Sequence, residues 1–141
     1  MLEIINNQRK VKIDAKSFEE FAGKVVEKIS QTSGRFLTIA FVSDKKMRLF
    51  NKTFRGKDTT TDVLSFPFEA EEFEAGDNNL GDIFISLEQA KRQAEENNLT
   101  FEREIRQLIL HGILHLCGFD HETDAGEMNR LELKLREELG I

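Results

Sequence analysis

Apolar and polar residues follow one another along the chain with two different periods, which predict a mixture of strands and helices. Two-residue alternation or nearly continuous apolar runs predict strands at 2–6, 35–42, 63–66 and 80–85, and 11–13 is either a further short strand or part of the turn that follows the first one. Apolar residues three or four positions apart predict five helices that each bury one face. Their expected N-terminal caps are Ser17, Ser43, Ser86, Thr100 and Thr123.

Glycine, proline and acidic residues separate these segments. Gly56 and Gly118 are expected to end helices, because glycine readily adopts the left-handed conformation that stops a helix. Pro67, the only proline, follows the strand at 63–66 and predicts a sheet edge there. The segment 69–79 is acidic and rich in turn residues, which predicts an exposed, mobile loop without a chemical role.

The helix that starts after Thr100 is apolar on nearly every side and should therefore be central and buried. It carries His111 and His115 four residues apart, so that two imidazoles lie side by side, about 6 Å apart. Gly118 then lets the chain turn back, which brings His121 toward the same point. Three neutral imidazoles that converge in a dry site suit a tetrahedral zinc ion with its fourth position open to water. We therefore predict one zinc ion per chain, bound by His111, His115 and His121.

Two plainer interpretations compete with this one. The histidines could be ordinary core or surface residues, but two imidazoles inside an apolar helix cost free energy unless each has a partner. The zinc could be structural, but closed structural sites usually have four protein ligands that include cysteines. Cys117 points away from the face that carries His111 and His115, so we expect it to contribute packing.

Length, charge and cysteine content limit the class of protein. A chain of 141 residues with 39% hydrophobic content is sufficient for one core, so we expect a single domain over 1–141. The chain has neither an apolar stretch of transmembrane length nor a signal-peptide pattern, so we expect a cytoplasmic protein without a membrane partner. The single cysteine agrees with a reducing compartment. The net charge of −6 argues against bulk attraction to nucleic acid, although one local basic patch could still bind RNA.

A zinc ion held by three neutral histidines would lower the pKa of its bound water to about 7, far below that of bulk water, and the resulting hydroxide could attack a carbonyl or a phosphorus. The spacing H-x3-H-x2-G-x2-H matches that of the metzincin proteases, H-E-x-x-H-x-x-G-x-x-H. Those enzymes use the glutamate as general base, whereas this chain has Gly112 at that position. Because peptide hydrolysis needs proton delivery to a poor leaving group, Gly112 argues against a protease of that mechanism.

Six basic residues lie on or just beyond the helix that Ser43 is expected to cap: Lys45, Lys46, Arg48, Lys52, Arg55 and Lys57. Most of them are expected to form a solvated face. Arg55 differs because it stands at the helix end, ahead of the polar segment 58–62, which is either a plain turn or a loop that lines a site. A planar guanidinium matches phosphate oxygens, so phosphodiester cleavage could use Arg55 for charge stabilisation and the metal for the nucleophile.

These motifs carry a resemblance to a known family. The sequence HGILHLCGFDH at 111–121 resembles the H-G-x-L-H-L-x-G-x-D-H signature of the YbeY family of bacterial metal-dependent endoribonucleases. The segment TDVLSFP at 61–67 resembles that family's T-D-V-L-S-F-P segment, and Asn51 and Arg55 precede it as the family pattern expects. LGDI at 80–83 matches a further family strand, and the likeness extends over nearly the whole chain. Thr60 departs from the pattern, since many members have proline there.

The resemblance implies a single-strand-specific endoribonuclease in ribosomal RNA maturation, especially at the 3′ end of small-subunit rRNA, and in ribosome quality control. It implies an α+β fold with a small, mixed four-stranded sheet and about five helices, with zinc at His111, His115 and His121. The family's arginine maps onto Arg55, with a role on RNA phosphate, and His115 is expected to act with it in catalysis. Expected partners are single-stranded or ribosomal RNA and the ribosome or a small-subunit ribosomal protein, but not DNA.

The general base and the function class stay open at this point. The base could be Asp62, Asp82, Asp120 or the metal-bound hydroxide alone. Asp120 either orients a histidine ligand or caps the turn after Gly118, and alternation does not tell which way Asp82 faces. Two other functions compete with the nuclease: a metal-dependent peptidase or amidase, weakened by Gly112, and a non-catalytic ribosome-assembly factor that docks through its basic helix.

Overall fold

Four strands form one mixed sheet in the order β1-β2-β4-β3: β1 (Leu2–Asn6), β2 (Phe36–Val42), β3 (Val63–Pro67) and β4 (Asn79–Ser86). The computed structural model describes residues 2–68, 78–120 and 122–141, so the loop predicted at 69–79 lies almost entirely outside it. β1 and β4 run parallel to β2, whereas β3 pairs antiparallel with β4 and lies at an edge. The predicted mixed four-stranded sheet is confirmed, and so is the edge position of the strand that ends at Pro67.

Five α-helices accompany the sheet within the described residues, as predicted: α1 (Ala15–Lys28), α2 (Asp44–Arg55), α3 (Leu87–Glu96), α4 (Phe101–Leu116) and α5 (Glu127–Leu139). A short 3-10 helix, Ser30–Thr32, follows α1. The side chains of Ser43, Ser86 and Thr100 each accept a hydrogen bond from a backbone N–H in the first turn of the helix that follows, which confirms three predicted caps. In this part of the chain no helix has both the length and the apolar character needed to cross a lipid bilayer.

One prediction near the N-terminus is wrong, and the structure decides between two alternatives for residues 11–13. α1 begins ahead of the predicted cap Ser17, because the Asp14 carboxylate accepts a hydrogen bond from the Ser17 backbone N–H. Residues 11–13 form no strand. The Gln8 side chain instead accepts a hydrogen bond from the Val11 N–H at 2.9 Å and donates one to the Val11 carbonyl at 2.8 Å. A local side chain thus takes the place of a strand partner.

The predicted start of the last helix is also wrong. Thr123 does not cap α5, which begins at Glu127. The Asp124 carboxylate accepts hydrogen bonds from the N–H groups of Gly126 and Met128 at 2.8 and 2.9 Å, and these bonds hold a turn ahead of the helix. The aspartate therefore delays the helix by offering its backbone groups another partner.

Alternation along β2 divides the core into two clusters. Leu37, Ile39 and Phe41 face the larger cluster, which includes α1 and α4. Ala40 and Val42 face the smaller cluster, which α2 covers from the other side of the sheet. The strand predicted to be covered on both faces is therefore buried between two helical layers, and the cleft described below lies on the α4 side.

α4 is the buried centre of the larger cluster, as predicted from its apolar residues. It approaches the sheet so closely that a Cβ atom added to Gly112 would lie 2.9 Å from Cγ2 of Ile83, a fully buried residue of β4. The Ser65 hydroxyl of β3 donates a hydrogen bond to the Gly112 carbonyl at 3.3 Å. Packing therefore requires glycine at the position where metzincin proteases carry their catalytic glutamate.

Replacing Gly112 with alanine should lower the free energy of unfolding by about 1–3 kcal/mol, because the new methyl group must displace the buried Ile83 side chain. The better helix propensity of alanine opposes this loss by only about 1 kcal/mol. Gly23→Ala in α1 is the matched control, because a Cβ atom added at Gly23 would meet no other part of the protein within 4 Å. This substitution should stabilise the protein slightly. Urea unfolding measures both changes, and a Gly112→Ala protein as stable as Gly23→Ala would contradict the close contact.

Candidate functional site

His111 and His115 occupy one face of α4, one turn apart, with their rings turned toward each other. Their Nε2 atoms are 3.0 Å apart and their ring centroids 4.6 Å apart. Both side chains are half-buried where α4 meets an open cleft. The structure thus brings two of the three predicted metal ligands together, while the third, His121, lies outside the described residues.

A carboxylate from α5 orients His111. The two carboxylate oxygens of Glu132 lie 3.2 and 3.3 Å from His111 Nδ1, and Arg136 donates a hydrogen bond to Oε1 at 3.1 Å. Burial raises the pKa of Glu132, but the hydrogen bond from His111 and the nearby charges outweigh it, so the pKa lies below its ordinary value. Because an ionised carboxylate only accepts hydrogen bonds, the proton of His111 is on Nδ1. The lone pair of Nε2 therefore points toward His115.

The facing nitrogen atoms have the chemistry of a partial metal site. Two histidines that bind one tetrahedral zinc ion hold their nitrogens about 3.3 Å apart, given Zn–N bonds of about 2.0–2.1 Å. The observed separation of 3.0 Å is close to that value, so a cation between the rings would require little rearrangement. A carboxylate on the second ring nitrogen is also the usual partner of metal-binding histidines. Within residues 2–68, 78–120 and 122–141 no three His, Cys, Asp or Glu side chains are grouped so that they could hold a metal ion.

The turn that follows α4 forms as predicted. Gly118 has a φ of +93°, in the left-handed region, and the Phe119 N–H donates a hydrogen bond to the Leu114 carbonyl at 3.1 Å. The Asp120 carboxylate accepts a hydrogen bond from the Glu122 N–H at 2.9 Å. The Asp120 carboxylate therefore caps the turn, which is one of the two roles considered for it, and the orienting of a histidine ligand stays a prediction.

A cleft of about 660 Å³ opens in front of the histidine pair. It is lined by Arg55, by residues 61–67, by His111 and His115, and by Gly118, Phe119, Asp120 and Glu122. The end of α2 and the edge strand β3 therefore form a wall beside α4. Arg55 shares the cleft with the histidines, a proximity that sequence spacing does not determine.

The polar segment 58–62 is partly a turn and partly a cleft wall. Thr61 and Asp62 line the cleft, whereas the Asp58 carboxylate accepts a hydrogen bond from Arg48 at 2.9 Å, away from it. The Asp62 carboxylate accepts three hydrogen bonds, from the Val63 N–H at 2.8 Å, the Gln93 side chain at 3.1 Å and the Thr61 hydroxyl at 3.4 Å. Its carboxylate thus stabilises the start of β3.

Asp82 is placed away from the histidines. It is exposed and alternates along β4 with Ile83, which faces α4, so its side chain lies on the α2 side of the sheet with Phe84. It does not line the cleft. Asp82 therefore cannot act as a base in this cleft.

Sequence reasoning missed Glu132, although the chain carries a signal for it. Met128, Glu132 and Leu135 are buried at positions i, i+4 and i+7 of α5, whereas Leu133 is 54% exposed. A glutamate within the apolar stripe of a helix needs a polar partner. Listing which positions of this helix share its apolar face would have identified Glu132 as a charged residue on the buried side.

A smaller cavity of about 370 Å³ lies behind His111, lined among others by Glu104, Glu132 and Arg136. Burial raises the pKa of Glu104, which is bonded to the side chain of Asn97. Glu104 is thus a second buried carboxylate beside the histidine, but its hydrogen-bond partner is Asn97 and not His111.

Cys117 follows His115 by two residues but does not join the pair. It packs against the larger hydrophobic cluster, and burial raises the pKa of its thiol to about 11. At neutral pH the side chain is a thiol and not the thiolate that binds metals. The packing role predicted for Cys117 agrees with this environment.

Comparison with known proteins identifies the family. A family model described as Endoribonuclease YbeY matches residues 3–140. Proteins named Endoribonuclease YbeY from Thermodesulfovibrio yellowstonii and Alkaliphilus metalliredigens are 35% and 38% identical to this chain. The first match covers 95% of this chain and 94% of the relative, and the second covers 99% and 96%.

A solved structure agrees with the sequence relatives. The solution structure of TM1509 from Thermotoga maritima matches this chain with a TM-score of 0.67 and 31% sequence identity. The match covers 99% of this chain and 89% of the TM1509 chain. The likeness therefore extends to the fold described above and is not confined to the motifs. On the match over residues 3–140, the chain belongs to the endoribonuclease YbeY family.

Proposed function

We propose that this protein is a metal-dependent endoribonuclease that cleaves single-stranded RNA in the cleft between α4, β3 and the end of α2. The observation that carries the proposal is one cleft that combines a facing histidine pair, oriented by Glu132, with the guanidinium of Arg55. Imidazole nitrogens suit zinc, and a guanidinium suits phosphate oxygens. Relatives named Endoribonuclease YbeY support RNA as the substrate class.

His111, His115 and His121 would hold a single zinc ion per chain. A divalent cation bound there supplies Lewis acidity and generates a nucleophile from water near neutral pH. Three nitrogen ligands leave a coordination position open, as catalytic zinc sites do. Glu132 keeps the proton of His111 on Nδ1, and so keeps Nε2 available as a ligand.

The negative charges that line the cleft support a role for both a cation and Arg55 in the reaction. Asp62, Asp120 and Glu122 line the cleft and would repel a phosphodiester. A divalent cation together with Arg55 balances these three negative charges. Arg55 is exposed in the cleft wall, where its donors can contact the phosphoryl oxygens and stabilise the negative charge that develops on them. His115 would take part in the reaction beside Arg55, as a ligand of the metal ion.

The same geometry argues against the peptidase alternative. A peptidase with this histidine spacing needs a glutamate at position 112, but α4 contacts Ile83 of the sheet there and has no room for it. Phosphodiester cleavage needs charge stabilisation and an activated nucleophile, and it does not need that residue.

We further propose that the biological substrate is ribosomal RNA, with the 3′ end of small-subunit rRNA as the main site and ribosome quality control as a second role. The family resemblance supports this assignment. The ribosome or a small-subunit ribosomal protein would be the partner, and the cytoplasm, where bacterial ribosomal RNA matures, would be the compartment.

Metal removal should abolish RNA cleavage without unfolding the protein. We expect one zinc ion per chain, and we expect chelation or His115→Ala to remove both the metal and the cleavage of an unstructured RNA. Elemental analysis, gel electrophoresis of labelled RNA and circular dichroism measure metal, cleavage and fold. Cys117→Ala is the control and should keep all three, because its thiol is not part of the histidine pair.

Each other result of that experiment has a distinct meaning. Cleavage that survives chelation would contradict metal dependence. Binding of RNA without turnover, in protein that contains its metal, would favour an assembly factor. Cleavage of casein but not RNA would favour a peptidase.

Arg55→Gln should lower kcat/KM for single-stranded RNA by about 100-fold or more, because the variant lacks the charged donor that would stabilise the negative charge developing on the phosphoryl oxygens. Arg55→Lys should restore only part of the rate, since a lysine keeps the charge but loses the planar fork. Arg103→Gln is the matched control, as Arg103 is exposed in the first turn of α4 and does not line the cleft. Steady-state kinetics on one RNA compare the four proteins, and full activity of Arg55→Gln would remove Arg55 from the mechanism.

Glu132→Gln should weaken metal affinity about 10- to 100-fold, because the neutral amide no longer holds the His111 proton on Nδ1 as strongly. Competition with a chromophoric chelator measures the affinity independently of activity. Glu104→Gln is the matched control: it removes the other buried carboxylate of the cavity behind His111, whose partner is Asn97. Equal losses in both variants would mean that cavity charge, and not the contact with His111, controls the affinity.

A further inference from the structure

Phe54 lies near the end of α2, beside the edge strand β3, and is largely exposed. Met47, Asn51 and Phe54 share one side of α2, at positions i, i+4 and i+7. Met47 and Asn51 are buried, whereas Phe54 is 63% exposed, the most exposed of the large apolar side chains in the described part of the chain. A ring on the sheet-facing side of a helix is exposed here because the edge strand β3 ends the sheet beneath it.

The exposed ring is nevertheless held in place. It makes an edge-to-face contact with Phe66, with ring centroids 5.2 Å apart and an interplanar angle of 65°, and it lies 6.3 Å from Phe50. Phe66 belongs to the edge strand that lines the cleft, and its ring packs on Phe84 at 5.7 Å, on the α2 side of the sheet. Phe54 is therefore a ring supported from one side by β3, next to Arg55 at the cleft, with most of its surface free to contact a ligand.

Cations lie beside this ring. Arg55, the next residue, lines the cleft, and Lys52, Arg48 and Lys45 continue from it along α2 at spacings of three or four residues, all of them exposed. Arg48 is paired with Asp58, so Arg55, Lys52 and Lys45 supply the positive charge of this row in a chain with a net charge of −6. Proteins bind single-stranded nucleic acid with this combination, because phosphates contact cations while bases stack on aromatic rings.

We propose that Phe54 stacks on a nucleobase of single-stranded RNA, next to the nucleotide whose phosphate contacts Arg55. The inference rests on the proposed endoribonuclease function and adds to it a residue that selects unpaired bases. In a duplex each base is paired and stacks on its neighbours, so no face is available to Phe54. A base in a single strand can rotate out of its stack and cover the ring.

The sequence provides a clean reporter, because it contains neither tryptophan nor tyrosine. Phe54→Trp introduces a single tryptophan at the proposed stacking position. Its emission should be quenched by a single-stranded 2′-O-methyl phosphorothioate oligonucleotide, which resists hydrolysis by the metal-loaded protein, and not by the same sequence in a duplex. Leu133→Trp is the matched control, since Leu133 is 54% exposed on α5 and does not line the cleft, and its emission should not change.

Affinity and kinetics give a second measurement. Phe54→Ala should weaken binding of the same oligonucleotide by about 5- to 150-fold, the range found when single aromatic stacking residues are replaced by alanine. Phe54→Tyr should restore the affinity, and both variants should unfold at the temperature of the unmodified protein. With cleavable RNA the loss should appear mainly in KM, because the ring contacts the substrate away from the reacting atoms.

Three outcomes would overturn the inference. If the protein cleaves RNA while Phe54→Trp is not quenched and Phe54→Ala binds normally, stacking is wrong and the proposed function stands. If the protein neither binds nor cleaves RNA, the proposed function fails and the inference fails with it. If the emission of Phe54→Trp changes with protein concentration alone, the ring is a contact between copies of this chain and not a base platform.

Discussion

The contact between α4 and the sheet determines where the groups of the cleft lie. α4 is buried along its apolar residues, and at Gly112 its backbone reaches the Ile83 side chain of β4 with no space for a Cβ atom. That contact sets the rotation of the helix about its axis. A helix has 3.6 residues per turn, so a rotation by one residue would move His111 and His115 about 100° from the cleft, into the core or against α5. Packing on one face of α4 therefore sets the chemistry available on the other.

The polar groups at the rim of this core satisfy one another in a row. His115 faces His111, the second nitrogen of His111 faces Glu132, and Arg136 donates to the far side of that carboxylate. Each of these groups would be costly to bury alone, and the row leaves each of them with a partner. The carboxylate stays ionised because its two partners outweigh the effect of burial on its pKa. The apolar helix α4 can thus carry two imidazoles because the neighbouring helix α5 supplies a carboxylate, Glu132, as their hydrogen-bond partner.

Local signals in the sequence were sufficient for much of the fold and for half of the site. Ser43, Ser86 and Thr100 cap their helices and Gly118 turns the chain, because each acts on its own backbone within a few residues. Long-range relations were beyond such signals. The proximity of Arg55 to the histidines depends on how α2 passes over the sheet before β3 begins, and Glu132 depends on the register of α5. Asp124, for its part, delays the start of α5 beyond the predicted cap Thr123.

The position of Glu132 on the last described helix has a consequence for the dynamics of the protein. α5 packs into the larger hydrophobic cluster through Met128 and Leu135, and the same helix places Glu132 beside His111. One element therefore supplies both apolar contacts and the carboxylate partner of the imidazole, so a local opening of α5 would remove both together. Hydrogen exchange in α5 would report how often the histidine pair loses that partner.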